Sequence, residues 1–165
     1  MNKHVRTIQR SSRIGLWGSV ALVLLTVVFI YASPKRFYQS DYTVRWMLVA
    51  GTVLAVLAVS MTLLTVRRQV PRLRQTEGLE AKLAGYAAHV RSLYATMLVV
   101  VLLLCAFTVL SGRNVLLMLA LVSTLVLFLD YPNIYRIKVD LGLTDGEMRS
   151  LFGDRYIADN NHASD

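Results

Sequence analysis

Apolar residues gather into four long runs separated by short polar stretches. Positions 14–34, 46–66, 92–112 and 114–129 contain no Asp, Glu, Lys or Arg. A helix rises 1.5 Å per residue, so about 20 apolar residues cross a hydrocarbon layer roughly 30 Å thick. Three runs reach that length comfortably and the fourth narrowly. The pattern predicts an all-α fold, a four-transmembrane-helix bundle running up-down-up-down, with spans near 14–33, 46–66, 92–111 and 114–130. Four apolar runs in 165 residues leave no polar faces with which to solvate a water-soluble core.

The junctions between runs carry their own signals. Ser33-Pro34 ends the first helix and Val70-Pro71 the second, because proline pushes its predecessor out of the α region. Thr76 is placed to cap a new helix with Glu77 in its first turn. From there Leu79, Leu83, Tyr86, Val90, Leu93 and Met97 recur at three- and four-residue spacing, so helix three begins as an amphipathic segment outside the bilayer. Ser111-Gly112-Arg113-Asn114 is a tight link, with Gly112 at a helix terminus and Asn114 as N-cap, and it forces helices three and four into an antiparallel hairpin.

Beyond position 130 the texture changes, which divides the chain into a transmembrane domain (1–130) and an amphipathic tail (131–165). Pro132 opens a short helix that Gly142 closes, and Thr144 with Glu147 forms a capping box for another. Both are expected as loosely held interfacial helices, followed by a disordered stretch from Ala158 to Asp165.

Composition agrees with a membrane protein: 55% of residues are hydrophobic and the mean hydropathy is +0.50. A net charge of +8 is in the range of nucleic-acid binders, but its distribution encodes topology instead. Fourteen Lys and Arg lie before helix one, between helices two and three, and after helix four; only Lys35, Arg36, Arg45 and Arg113 lie on the other side. The positive-inside rule then sets both termini in the cytoplasm of a multi-pass protein of the cell membrane. Tyr31, Phe37, Tyr38, Tyr42 and Trp46 mark the outer boundary, and Trp17, Tyr94 and Tyr131 the inner one. Basic residues precede the first run as they precede a signal peptide, but its apolar stretch is too long and lacks a small-residue cleavage site, so it is expected as a retained helix. From Asp130 onward seven acidic residues face four basic ones, so an acidic tail lies beneath a basic surface.

Lines of small residues mark where helices approach closely: Gly15 and Ser19 in helix one, Gly51, Ala55 and Ala58 in helix two, and Gly85, Ala88 and Ser92 in helix three. The partners expected are membrane lipids, with Arg67, Arg68, Arg72 and Arg74 as headgroup contacts, and a second copy or another membrane protein. Nucleic acid is not expected.

The search for chemistry returns mostly exclusions. No ionisable residue lies within the spans, where ion-coupled transport would place one. Cys105 is the only cysteine, so neither a disulfide relay nor a thiolate metal cluster is available. His4, His89 and His162 lie in separate segments, and no clustered carboxylates of the kind used by phospholipid-synthesising transferases appear. No cofactor or metal is expected. The Leu79–Ser92 stretch and the tail motif Tyr131-Pro132-x4-Ile137-Lys138-x-Asp140-Leu141-Gly142-Leu143 resemble those of small four-span bacterial membrane proteins that have no assigned activity. These readings lean away from an enzyme. The expectation is a structural or accessory subunit, with a small oligomeric transporter or pore lined by Thr and Ser hydroxyls as the alternative.

Overall fold

The computed structural model describes residues 3–32 and 40–152, and every regular element among them is an α-helix. Six are present: α1 (Lys3–Ala32), α2 (Asp41–Gln75), α3 (Leu79–Ser111), α4 (Asn114–Leu129), α5 (Ile134–Leu141) and α6 (Asp145–Phe152). The all-α expectation holds. Three of them, α1 to α3, are long and apolar enough to cross a membrane. At 16 residues, α4 is only about 24 Å long. It qualifies as a fourth span only when counted together with α5. The expected end of helix one at Ser33-Pro34, the first loop and the Ala158–Asp165 stretch lie outside the described residues.

Contacts group the chain into two units. Arg13–Leu64 and Leu93–Tyr131 form one, and Met1–Ser12, Thr65–Ser92 and Pro132–Asp165 the other. The first, the apolar unit, is held by small-to-large packing. An added Cβ on Gly15 would lie 2.8 Å from Tyr94 Cβ, and one on Gly51 would lie 2.5 Å from Leu116 Cδ2. Ser19, Ala55 and Ala58 are buried as well. These close approaches supply the packing attraction that lipid, as apolar as the helices themselves, does not. Outward-facing residues are strongly exposed and apolar, among them Leu25, Leu57, Met61, Val122 and Phe128. So continuous an apolar exterior is stable only in hydrocarbon.

Hydroxyls in this unit are satisfied on their own helices. Ser19 donates to Gly15 O (2.8 Å), Thr26 to Leu22 O (2.8 Å), Thr108 to Leu104 O (2.7 Å) and Thr124 to Ala120 O (2.9 Å). Groups bonded in this way present no polar path. At the end of α4, Tyr94 Oη donates to Leu127 O (3.1 Å), one of the last-turn carbonyls that lack a partner within the helix. Tyr42 and Trp46, both exposed, meet edge to face at 6.1 Å near the start of α2, as rings at a headgroup boundary do.

The second, polar unit has a core of its own. Ile137, Leu141, Met148, Leu151 and Phe152 of α5 and α6 are buried, as are Leu83, Tyr86, Ala87 and Val90 of α3, Val70 of α2, and Val5 and Ile8 of α1. An added Cβ on Gly85 would come within 2.6 Å of Leu73 Cδ2, so α2 and α3 run close here. Ala88 and Ser92, by contrast, are exposed. The expected loosely held tail is thus corrected for its described residues: Ile137 and Leu141 of α5 and Met148, Leu151 and Phe152 of α6 are buried.

Several boundaries also differ from expectation. Helix α2 does not stop before Pro71 but runs through it to Gln75. So near a helix end, proline removes one hydrogen bond with few others left to disrupt. Thr76 caps nothing; its hydroxyl turns back to Arg72 O (3.2 Å). The turn falls on Gly78 instead, whose φ of 89° suits glycine. Asn114 is the first residue of α4 rather than its cap. The cap of α5 is Asn133, accepting from Arg136 N at 2.7 Å, not the turn at Pro132. Gly142 closes α5 at φ 61°, and the Thr144–Glu147 capping box forms as the sequence indicates.

Candidate functional site

Side chains able to do chemistry converge in one place, around Asp140 on α5 in the polar unit. Tyr86 Oη, from α3, donates to Asp140 Oδ2 at 2.8 Å. Arg136, one turn earlier on α5, places Nε 3.8 Å from the same oxygen. Arg74 of α2 reaches the backbone of the same segment, donating from Nη2 to Val139 O (2.7 Å) and from Nε to Asp140 O (3.0 Å). One residue is therefore held by its carboxylate from α3 and by its carbonyl from α2.

The sequence explains each arm. Tyr86 sits on the buried stripe of α3, so its ring packs inward while its hydroxyl emerges at the rim. Val139 O and Asp140 O belong to the last turn of α5, where carbonyls lack partners within the helix, and Arg74 has the planar fork to bridge two of them. Gly142 is required by its φ of 61° and not by Arg74, whose Cγ and Cδ would lie in ordinary contact, 3.8 Å from an added Cβ. Arg136 and Asp140 are spaced i, i+4 on one face.

Beside this cluster two further charged side chains of α5 and α6 have partners of their own. Lys138 Nζ meets Asp145 Oδ1 at 2.6 Å. Glu147 Oε2 accepts from Thr144 N (2.8 Å) and Thr144 Oγ1 (2.9 Å), and these bonds, the backbone one first, hold its pKa below the ordinary glutamate value. His89 is buried one turn after Tyr86 on α3. Among the described residues no group of three or more His, Cys, Asp or Glu could hold a metal ion. In the apolar unit a cavity of about 530 Å³ runs between α1 and α3, lined by residues such as Leu22, Phe29, Leu102 and Val109. Its walls offer only Thr26 and Cys105 as polar groups, too few to orient a polar ligand.

The residues singled out from sequence fall in separate places. Gly15, Ser19, Gly51, Ala55 and Ala58 belong to the packing of the apolar unit. Of the four arginines expected at lipid headgroups, Arg74 is engaged by α5, whereas Arg67, Arg68 and Arg72 are exposed. Asp140 and Tyr86 were not identified as a pair, because 54 residues separate them. The legible part of the site was the Arg136–Asp140 spacing.

Fold and site together define an all-α integral membrane protein whose three to four apolar helices accompany a smaller polar unit bearing a carboxylate–tyrosine–arginine cluster. Residues 2–143 match the model of the CobS family, cobalamin-5-phosphate synthase. The chain belongs to this family. No curated protein and no solved structure matches it. Membership in a synthase family overturns the expectation of a non-enzymatic structural or accessory subunit, and with it the pore alternative. That expectation rested on the emptiness of the spans; the match also takes in the polar segments, up to the residue after Gly142.

Proposed function

We infer that the chain is a membrane enzyme of cobalamin-5-phosphate synthesis that works through its polar unit. The observation that carries this reading is the extent of the family match, which includes α1 to α5 and every member of the Asp140 cluster. The compound in the family's description bears a phosphate, and guanidinium groups are the protein donors best matched to phosphate oxygens. Residues 3–12, 65–92 and 132–152 hold twelve Lys and Arg against five Asp and Glu, so the unit attracts anions. Within the cluster Arg136, about one-third exposed, is the phosphate donor. Asp140 positions it and is the carboxylate available to take a proton, with Tyr86 holding Asp140 in turn.

The charge distribution supports a cytoplasmic polar unit, both termini inside and α4 as a short fourth span. A corrinoid phosphate made in the cytoplasm would then meet the enzyme from that side.

A cell deleted for its own member of this family, and unable to make cobalamin-5-phosphate, provides the test. Expression of this chain should restore the compound, detected by mass spectrometry, and Arg136→Gln should lower its yield at least tenfold. Arg149→Gln, outside the matched residues, should not. Absence of product from cells whose membranes contain the intact chain would overturn the reading.

A further inference from the structure

Along the contact between α1 and α3, Gly15 meets Tyr94, Gly18 meets Leu98 and Thr26 sits beside Cys105, so the two helices run parallel in constant register. The two glycines let the backbones approach closely at one end. Beyond Gly18 the helix has no further glycine, and Leu22 and Leu102 stand in its place. Thr26, Cys105 and Ala106, which follow, are too small to fill the space between the separated backbones. The result is the groove of about 530 Å³, whose lining belongs wholly to the apolar unit.

Its rim is made by Leu25, Phe29 and Leu102, which are 66%, 46% and 49% exposed, and its floor by Thr26 and Cys105, which are buried. Among the described residues no charged side chain lines it. The Thr26 hydroxyl is bonded to Leu22 O (2.8 Å), and a cysteine thiol behaves as a small hydrophobe. The walls therefore complement an uncharged, apolar occupant and offer nothing to an ion or a headgroup.

We propose that this groove binds one acyl chain of a membrane phospholipid. An apolar cavity of roughly 150 Å³ takes a benzene ring, or about 25 Å³ per carbon, so 530 Å³ holds about twenty carbons, the bulk of a single acyl chain. An open groove in hydrocarbon does not stay empty, because its walls lack dispersion partners until something fills them. Acyl chains are what surrounds the exposed rim. A helix of a second copy fits less well: nine residues line the groove, whereas a standard interface takes about 20–30 a side. The inference concerns the apolar unit alone and does not depend on the enzymatic reading.

The full chain in phosphatidylcholine vesicles, with a trace of the same lipid carrying a diazirine on one acyl chain, is irradiated and its labelled residues are mapped by mass spectrometry. A chain in the groove touches protein on three sides rather than one, and roughly a dozen additional carbon contacts favour it about tenfold over the flat exterior. Leu25, Phe29, Leu102 and Ala106 should therefore take about tenfold more label than Leu57, Val122 and Phe128, which are similarly exposed but lie outside the groove. Ala106→Phe, which adds a ring at the groove, should remove the excess, while Val122→Phe, which adds the same ring to the outside of α4, should not. If Ala106→Phe does not fold, as judged by helical content and elution, Ala106→Leu should still reduce it. Carrying the labelled chain on phosphatidylglycerol should give the same pattern, since no wall charge reads the headgroup. Even labelling of the exterior, sparing of the groove residues as a second copy seated there would cause, or dependence on the headgroup would each overturn the proposal.

Discussion

Replacing Gly15 with alanine tests whether the apolar unit is held by the contact between α1 and α3. The new Cβ would lie 2.7 Å from Tyr94 Cδ1, 2.8 Å from its Cβ and 3.1 Å from its Cγ. Carbon pairs prefer about 3.5–4.0 Å, so the two helices must separate by the better part of an ångström. Tyr94 cannot simply swing away. Its Cβ moves only with the backbone, its side chain is buried, and its hydroxyl is bonded to Leu127 O. Overpacking of this kind costs about 1–3 kcal/mol. Weakening of the tyrosine hydrogen bond adds up to about 1 kcal/mol, while the better helix propensity of alanine returns about 1 kcal/mol. The net expectation is a loss of up to about 3 kcal/mol. Gly18, one turn later, is the internal control: its Cβ would meet only the end of Leu98, Cδ1 at 3.2 Å and Cδ2 at 3.9 Å, and a side-chain terminus can yield a few tenths of an ångström. Gly18→Ala should be neutral or stabilising by up to about 1 kcal/mol. Unfolding of the full chain in mixed micelles with rising denaturing detergent, followed by far-ultraviolet circular dichroism, measures both. Equal midpoints for the two variants would refute the role given to the Gly15–Tyr94 contact.

The polar unit yields three further expectations. Arg74→Ala removes both side-chain bonds to the end of α5; trypsin cleavage at Lys138 should then rise about tenfold, from a loss of about 1–2 kcal/mol. Arg74→Lys should recover only part of this, because an ammonium cannot bridge two carbonyls with one planar group. Tyr86→Phe, which takes only the hydroxyl from Asp140, should raise the same cleavage by about fivefold, for a loss of about 1 kcal/mol. For Glu147 the folded pKa is depressed, so its capping contribution is present above the ordinary glutamate pKa of about 4.3 and is lost as pH falls through the lower folded value. Amide exchange at Thr144, corrected for intrinsic rate, should therefore accelerate below about pH 4.3 in the native chain, and Glu147→Gln should abolish that dependence.

Much of the fold was legible because the sequence signals were local. Length and apolarity identify α1, α2 and α3 without reference to any partner, and Gly112, Gly142 and the Thr144–Glu147 box fix turns through geometry that a few residues determine. Helix ends near Pro71 and Thr76 were misjudged because local preference is weak. Val70 is buried, and covering it favours continuing α2 over the small penalty at Pro71. The covered faces of α5 and α6 were missed for another reason: amphipathic spacing shows that a face will be covered but not by what, and here protein rather than the membrane surface does it. The Asp140 cluster was hidden because it joins residues 54 and 66 positions apart, and neither distance leaves a mark in a periodic pattern.

The absence of charged residues from the spans had argued against an enzyme, but membership in a synthase family removes that argument. Among the described residues the Asp, Lys and Arg of the apolar unit, Arg13, Asp41, Arg45, Arg113 and Asp130, all lie outside the charge-free runs, while Ser19, Thr26, Thr108 and Thr124 bond to their own helix backbones. A phosphate-bearing corrinoid is polar and bulky, and it requires donors that hydrocarbon-facing leucines do not supply. Within residues 2–143 the polar unit alone brings a carboxylate, a tyrosine and two arginines onto one residue's neighbourhood, each held by a separate helix end or face. On the proposed reading the polar unit carries the chemistry, and α6, which begins just after the matched residues, adds buried contacts, the Lys138–Asp145 ion pair and a capping box to its stability.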